Sequence, residues 1–256
     1  MIKWLFAFFT GVFVSALAYA QEQITVYSYH KMPPYIIQQD KQDGLYFDFV
    51  TLLNKHQNSV QFSLVYVPRK RLNLMLETNS LDGVIIGVNP VWFGDNNKQK
   101  YLWSEAFMSD RDDYVSNAQK PFEYEKESSL YNKQVGGIHG FKYPNVDKLA
   151  ERGLLTRVNT DSETQLVAMV IKQRVDVAIV SELTTNYFAK IYDWREQLAT
   201  SHIPQYQFDR AFLVPKDKAN ILTLLNNQLS SSAFLSDWQV KISQYKTTAT
   251  QAQQHQ

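Results

Sequence analysis

Two arginines, Arg69 and Arg71, stand just after Pro68, where the chain changes from a strand-like to a helix-like pattern. A guanidinium fork there could hold a carboxylate through two parallel hydrogen bonds. A positive charge is poorly placed at the amino end of its own helix, which points to another task; the alternative is a solvated surface charge. Being two residues apart, the pair would point different ways on a helix. Aromatic rings offer a second kind of chemistry. Tyr29, Tyr35 and Trp92 fall close to the ends of strand-like runs, where a ring can stack on a small molecule. Tyr29 and Tyr35 could equally pack against Pro33 and Pro34. Asn89 supplies a polar group beside Trp92. His139 and Phe141 share one later turn, although a lone histidine is more often structural. Ser181 and Glu182 close a buried apolar run. Glu182 could accept from a cationic group, or serve as the acid favoured in the first turn of a helix. Thr160 and Asp161 are accounted for by helix capping. Asp110-Arg111-Asp112-Asp113 reads as salt bridging on a connecting strand rather than as a site.

This is the chemistry of binding. The five histidines are scattered, and no His-Glu-x-x-His, Gly-x-Ser-x-Gly or phosphate-binding glycine loop occurs. No metal, cofactor or catalytic residue is expected. The chain has no cysteine, so disulfides and a lipid-modified cysteine anchor are excluded. Lys3, the uncharged run Trp4 to Ala18 and the small residues of Ala18-Tyr19-Ala20 form the three parts of a secretory signal peptide over 1–20, cleaved before Gln21. That apolar run is shorter than the ~20 residues needed to span a bilayer. The expected location is a bacterial periplasm. Cleavage removes Lys3 alone, leaving 25 acidic residues matched by as many basic ones. A neutral chain has no long-range field to gather nucleic acid or anionic lipid. The 15 Tyr and 15 Phe residues are more than a soluble chain usually carries, and some can line a small-molecule pocket. The polar, Gln-rich stretch 247–256 is expected to be a disordered tail.

The elements that must position these residues follow a regular order. Ile24 to Tyr29 alternates as a strand, a helix opens after Gly44, Phe62 to Val67 is a second strand, Arg69 to Thr78 a second helix, and Val84 to Ile86 a buried third strand. The order β-α-β-α-β implies a parallel sheet. It repeats: a strand at 134–138, a helix at 144–152, a strand at 155–158, a helix from the capping-box spacing Thr160 to Glu163 through Gln173, a buried strand at 175–180 and a further helix. Two extended stretches, 101–116 and 206–214, join the units. The helical C-terminus has no third sheet to cover and is expected to return to the first unit. The expected organisation is lobe 1 from 21–110 with 207–246, and lobe 2 from 111–206. Two crossings make a hinge, and ligands bind outside the carboxyl ends of strands in such sheets.

Four blocks in this order resemble the family 3 extracellular solute-binding proteins, the periplasmic receptors of polar amino-acid ABC transporters. They are Pro33-Pro34-Tyr35 with Gly44-Leu45-Tyr46-Phe47-Asp48-Phe49; Leu81-Asp82-Gly83-Val84; Tyr101 to Phe107, similar to the family's Phe-Ser-x-Pro-Tyr crossing strand; and Val175-Asp176-Val177-Ala178-Ile179. The resemblance covers about Ile24 to Tyr245. It implies a type II periplasmic binding protein fold with no cofactor, a small-molecule ligand, an inner-membrane permease or receptor as partner, and a monomer. It also implies differences. The family's Thr-x-x-Arg arginine has no counterpart in Asn89 to Lys98, its Gly-Thr turn is Gly140-Phe141 here, and its ligand-facing acid aligns with Ser181, beside Glu182. The expected function is a solute receptor that closes on a polar or amino-acid-like molecule. The alternatives are a periplasmic enzyme on the same fold, similar to the cyclohexadienyl dehydratases, and a ligand-sensing accessory of a signalling receptor.

Overall fold

The computed structural model describes residues 21–250. The expected signal peptide and residues 251–256 lie outside the described residues. Strand β1 (Glu22–Ser28) is followed by α1 (Leu45–His56), β2 (Val60–Tyr66), α2 (Arg69–Glu77) and β3 (Val84–Val88). β1 pairs in parallel with both β2 and β3, as the βαβ order requires. A two-residue strand, β4 (Leu102–Trp103), precedes the first crossing strand, β5 (Met108–Asn117). The second unit holds β6 (Gln134–Ile138), α3 (Pro144–Glu151), β7 (Thr156–Thr160), α4 (Glu163–Ile171), β8 (Val177–Ser181), α5 (Glu182–Ile191) and β9 (Leu198–Thr200). β6 pairs in parallel with β7 and β8. The return crossing is β10 (Tyr206–Val214), and α6 (Ala219–Leu229) and α7 (Ser232–Thr250) complete the chain. The last turn of α7 falls within the stretch expected as a tail.

The strand order is β2-β1-β3-β10-β5-β8-β6-β7. The two crossing strands therefore sit at its centre, antiparallel to each other, with Asp112 opposite Tyr206 and Met108 opposite Arg210. β10 continues antiparallel to β3, and β5 antiparallel to β8. This is the type II periplasmic binding fold: two α/β lobes joined by two extended crossings.

The C-terminal helices do return to the first lobe. Phe234, Trp238 and Ile242 of α7 are buried with Phe49 of α1 and Phe212 of β10. The Trp238 ring stands 4.7 Å from that of Phe49, and its Nε1 donates to the Phe107 carbonyl at 2.7 Å. Burying side chains of this size stabilises by roughly 2–3 kcal/mol each, so α7 locks the start of the first crossing to lobe 1. The second lobe has its own apolar clusters on the two faces of its sheet, one around Tyr114 and Val135 and one around Val115 and Leu166. One expectation is corrected. The cap of α4 is Ser162, whose hydroxyl accepts from Gln165 N–H at 3.3 Å. Thr160 instead ends β7, because its backbone is still paired with Ile138.

Among the described residues no helix is long and apolar enough to cross a membrane.

Candidate functional site

The crossing strands carry an ion pair that water does not reach. Arg210 of β10 is 1% exposed and Asp110 of β5 is 7% exposed. Arg210 Nε donates to Asp110 Oδ2 at 2.7 Å, and Nη1 donates to the Gly87 carbonyl, also at 2.7 Å. Nη2 donates to the Tyr35 hydroxyl at 3.2 Å. That hydroxyl gives its proton to Asp110 and sits 2.8 Å from Ser181 Oγ, which is then the donor between the two. Aromatic faces complete the shell, with the guanidinium 4.5 Å from the Tyr35 ring and 5.0 Å from that of Phe208. Burial alone would lower the arginine's pKa, but Tyr35, Tyr46 and Asp110 raise it well above its ordinary value. The group stays charged, and its pairing is what makes its burial tolerable.

The backbone builds this node through Gly87. Its φ of 73° is a left-handed conformation, and a Cβ there would lie 1.8 Å from the Tyr46 hydroxyl. Only glycine lets β3 turn its carbonyl onto Arg210 while Tyr46 packs against it. The node spans the molecule: Tyr35 and Gly87 belong to lobe 1, Asp110 and Arg210 to the crossings, Ser181 to lobe 2. A second bridge between lobes runs from Thr184 Oγ1 to the Pro33 carbonyl at 2.7 Å.

Beside the node, at the carboxyl ends of β1, β2 and β3, lies an aromatic cluster around Arg69. Its Nε donates to Asn73 Oδ1 at 2.9 Å and Nη2 to the Trp92 carbonyl at 2.5 Å. The guanidinium is 3.9 Å from the Phe93 ring centre and 4.7 Å from that of Tyr29. Among the described residues Arg69 forms no ion pair, so it is an oriented cation without a counter-charge. His30 packs 4.1 Å from Tyr29 and 5.9 Å from Trp92. Burial, then Arg210 and Arg69, hold its pKa well below the ordinary histidine value, so it is neutral.

The opposite charge comes from the crossing strand and lobe 2. Asp112 stands directly across from Ser181 in the β5–β8 register. Burial, with Asp110, Asp113 and Glu163 adding to it against Arg210, pushes the Asp112 carboxyl up to about 7. Burial also raises Glu163, at the start of α4. Tyr29 senses Arg69, Arg210 and Asp112 together, and Tyr143 senses Asp112 and Glu163. Asp112 is thus near enough to act electrostatically on Tyr29 of lobe 1 and, with Glu163, on Tyr143 of lobe 2.

The sequence-predicted residues separate into groups. Tyr35 and Ser181 meet in the buried node. Tyr29, Arg69 and Trp92 meet in the aromatic cluster. Asn89 is beside them, where its Oδ1 accepts from Val91 N–H at 3.0 Å and its Nδ2 donates to the Asp209 carbonyl at 3.2 Å. Arg71 is exposed and points away from Arg69, as their spacing requires. His139 is exposed, 3.8 Å from Asp161, and Phe141 packs in the lobe 2 core. Glu182 pairs with Arg111 at 3.0 Å. Both line an open hollow of about 410 Å³ with Ser109, Asp110, Gln207, Phe208 and Asp209. Along β5, Arg111 and Asp113, which pair with each other, alternate with Asp110 and Asp112, so Glu182 pairs with the strand face that does not carry the Asp110–Arg210 bond. The Asp110 to Asp113 run does form hinge ion pairs, Asp110 to Arg210 and Arg111 to Asp113.

Sequence reasoning missed Arg210, Asp112, His30 and Glu163. Arg210 left one visible signal: a lone arginine opens the apolar run Ala211 to Val214, and a buried strand tolerates a charge only with a partner.

No protein-family model and no curated protein matches the sequence. Solved structures do match. An ancestral arginine-binding protein bound to arginine is 13% identical, covering 88% of this chain and 98% of its own, with a TM-score of 0.69. The substrate binding protein of an amino acid ABC transporter is 15% identical over 87% of this chain and 98% of its own, with a TM-score of 0.65. The VFT2 domain of BvgS from Bordetella pertussis is 16% identical over 87% of this chain and 93% of its own, also with a TM-score of 0.65. At these identities the likeness is one of fold.

Proposed function

We propose that this chain is a periplasmic solute-binding protein that closes on a small polar or amino-acid-like molecule and presents it to an ABC transporter permease. The observation that carries the reading is the pair of α/β lobes joined by two crossings, with Arg69, oriented by Asn73 and the Trp92 carbonyl and in no ion pair, at the strand ends of lobe 1, and Asp112 opposite Ser181 on the first crossing. Charges held without partners at low exposure are what a polar ligand completes. The structural neighbours include an arginine-bound binding protein and a transporter's substrate binding protein, which supports the same reading. The lobes are 21–110 with 207–246, and 111–206. Tyr29, Arg69, Asn89 and Trp92 face the ligand from lobe 1. Tyr35 and Ser181 join the lobes behind it, and His139 stands at the rim. The protein performs no chemical step on its ligand and works as a monomer after removal of residues 1–20.

The test is a thermal-shift screen of residues 21–256 against amino acids, amines, organic acids and aromatic precursors. A ligand at a hundred times its dissociation constant adds ~2.7 kcal/mol, a rise of roughly 5–10 °C for a chain of this size. A flat response across the whole screen, with no change in small-angle scattering, refutes the proposal.

A further inference from the structure

The end of β8 and the first turn of α5 belong to lobe 2 by sequence and to lobe 1 by contact. Ser181, Leu183 and Thr184 are 4%, 1% and 0% exposed. Ser181 Oγ lies 2.8 Å from the Tyr35 hydroxyl, and Thr184 Oγ1 donates to the Pro33 carbonyl at 2.7 Å. Leu183, between them, is buried in the apolar cluster of lobe 1 that holds Met32, Tyr35, Leu45 and Phe49. Among the described residues it is the one member of that cluster that lobe 2 supplies. Glu182 reaches Arg111 of the first crossing at 3.0 Å. Four consecutive residues therefore each hold something outside lobe 2. The rest of α5 packs against α7, whose Trp238 is already locked to Phe49 and Phe107. The receiving loop is held firmly as well. Asp110 and Arg210 fix the Tyr35 hydroxyl, and the Leu45 and Tyr46 N–H groups donate to the Pro34 and Tyr35 carbonyls at 2.8 and 3.1 Å.

These contacts differ in kind. Pulling the lobes apart would let water take over the hydrogen bonds of Ser181 and Thr184, so those two bonds fix register more than they resist opening. Water offers no such exchange to Leu183, whose apolar surface would be exposed. We propose that Ser181 to Thr184 form a latch that holds the two lobes closed before any ligand arrives, with Leu183 as its bolt. This goes beyond the solute-binding reading and does not depend on it. A ligand moves an equilibrium only by its difference in affinity for the two states. A molecule entering a latched protein therefore adds stability with little change of shape. Entry follows a transient release of the latch, and a membrane partner meets one outer shape, loaded or empty.

The experiment is double electron–electron resonance on residues 21–256 carrying nitroxides at Lys70→Cys and Lys142→Cys, unfolded in guanidinium and refolded to strip any carried ligand. Both positions are exposed, shortly after the carboxyl ends of β2 in lobe 1 and β6 in lobe 2, and the chain has no cysteine of its own. The expected result is one narrow distribution centred on the separation in this structure, with a longer-distance population of about a tenth or less. Leu183→Ala combined with Thr184→Val should raise that population at least about fivefold. A ligand-free protein found mainly at longer distances overturns the latch, and that measurement needs no change in the latch itself. A folded double variant whose distribution matches that of its parent overturns it too. Neither outcome touches the solute-binding reading, which stands or falls on the thermal-shift screen. A hit there with unchanged scattering is what a latched receptor should give.

Discussion

Arg210→Met should be the most damaging single substitution at the lobe junction. Methionine keeps much of the side-chain volume but removes the charge that Asp110 and the Gly87 carbonyl are paired with, each at 2.7 Å. Asp110 would keep the Tyr35 hydroxyl and its bond from Arg111 N–H at 2.8 Å, but its carboxylate, 1% exposed, would lose its cation. Breaking a buried pair by removing one partner costs about 3–5 kcal/mol, whereas replacing both by apolar groups is often near neutral. The single variant should therefore melt roughly 6–20 °C below wild type. Arg210→Met combined with Asp110→Leu should recover at least half of that loss. Urea unfolding of wild type, both single variants and the double variant gives the full cycle. A single-variant loss under about 1 kcal/mol, or a double variant no more stable than Arg210→Met, refutes the reasoning. It would mean that water enters the junction and solvates the survivor.

Three further outcomes follow from neighbouring groups. Asp112 binds its proton more tightly folded, near 7, than unfolded, so its contribution is destabilising and grows as pH climbs from about 4 through 7. Asp112→Asn should then stabilise the ligand-free protein by up to roughly 2 kcal/mol at pH 8, after discounting for the carboxylate's partial contact with water, and by little at pH 4; urea midpoints at the two pH values check it, and equal effects sink it. Gly87→Ala places a Cβ 1.8 Å from the Tyr46 hydroxyl at a φ of 73°, and should cost about 2–4 kcal/mol by thermal unfolding, with a cost under 1 kcal/mol counting against the packing described. Ser181→Ala removes one bond across the lobes and should cost about 1 kcal/mol, with faster amide exchange at Tyr35 and Ile36; unchanged exchange would show that Tyr35 is held by Asp110 and Arg210 alone.

The fold was legible because its signals are local. Alternation in β1, the apolar face of α1 and the apolar run of β8 each follow from neighbours in sequence, and their order dictates parallel pairing within each lobe. The candidate site was legible only where chemistry coincided with an element end. Tyr29, Arg69 and Trp92 were visible as candidates because each follows a strand, and helical spacing separated Arg71 from Arg69. Glu182 also follows a strand, yet it turns to Arg111 on the far face of the crossings, because the alternation of β5 sends Arg111 and Asp112 to opposite sides. Asp112 and Arg210 were missed for the same reason in reverse. A residue in the middle of an extended crossing faces the cleft or solvent according to strand pairing, and pairing between segments about a hundred residues apart is not written in either one.

The junction also limits what a ligand can do to the protein's shape. Tyr35 to Ser181 and Thr184 to Pro33 hold the lobes together using the chain's own side chains. A ligand shifts a two-state equilibrium only by its difference in affinity for the two states. In this molecule that difference cannot come from the buried node, whose donors and acceptors already satisfy one another. It has to come from groups left incomplete: the Arg69 guanidinium, which has no ion pair among the described residues, the Nδ1 of His30, and the carboxylate of Asp112. These belong to lobe 1 and to the crossing strand whose register fixes lobe 2, so a small molecule touching all of them would bear on how the lobes sit together. Ligand-driven closure and recognition would then rest on the same few atoms.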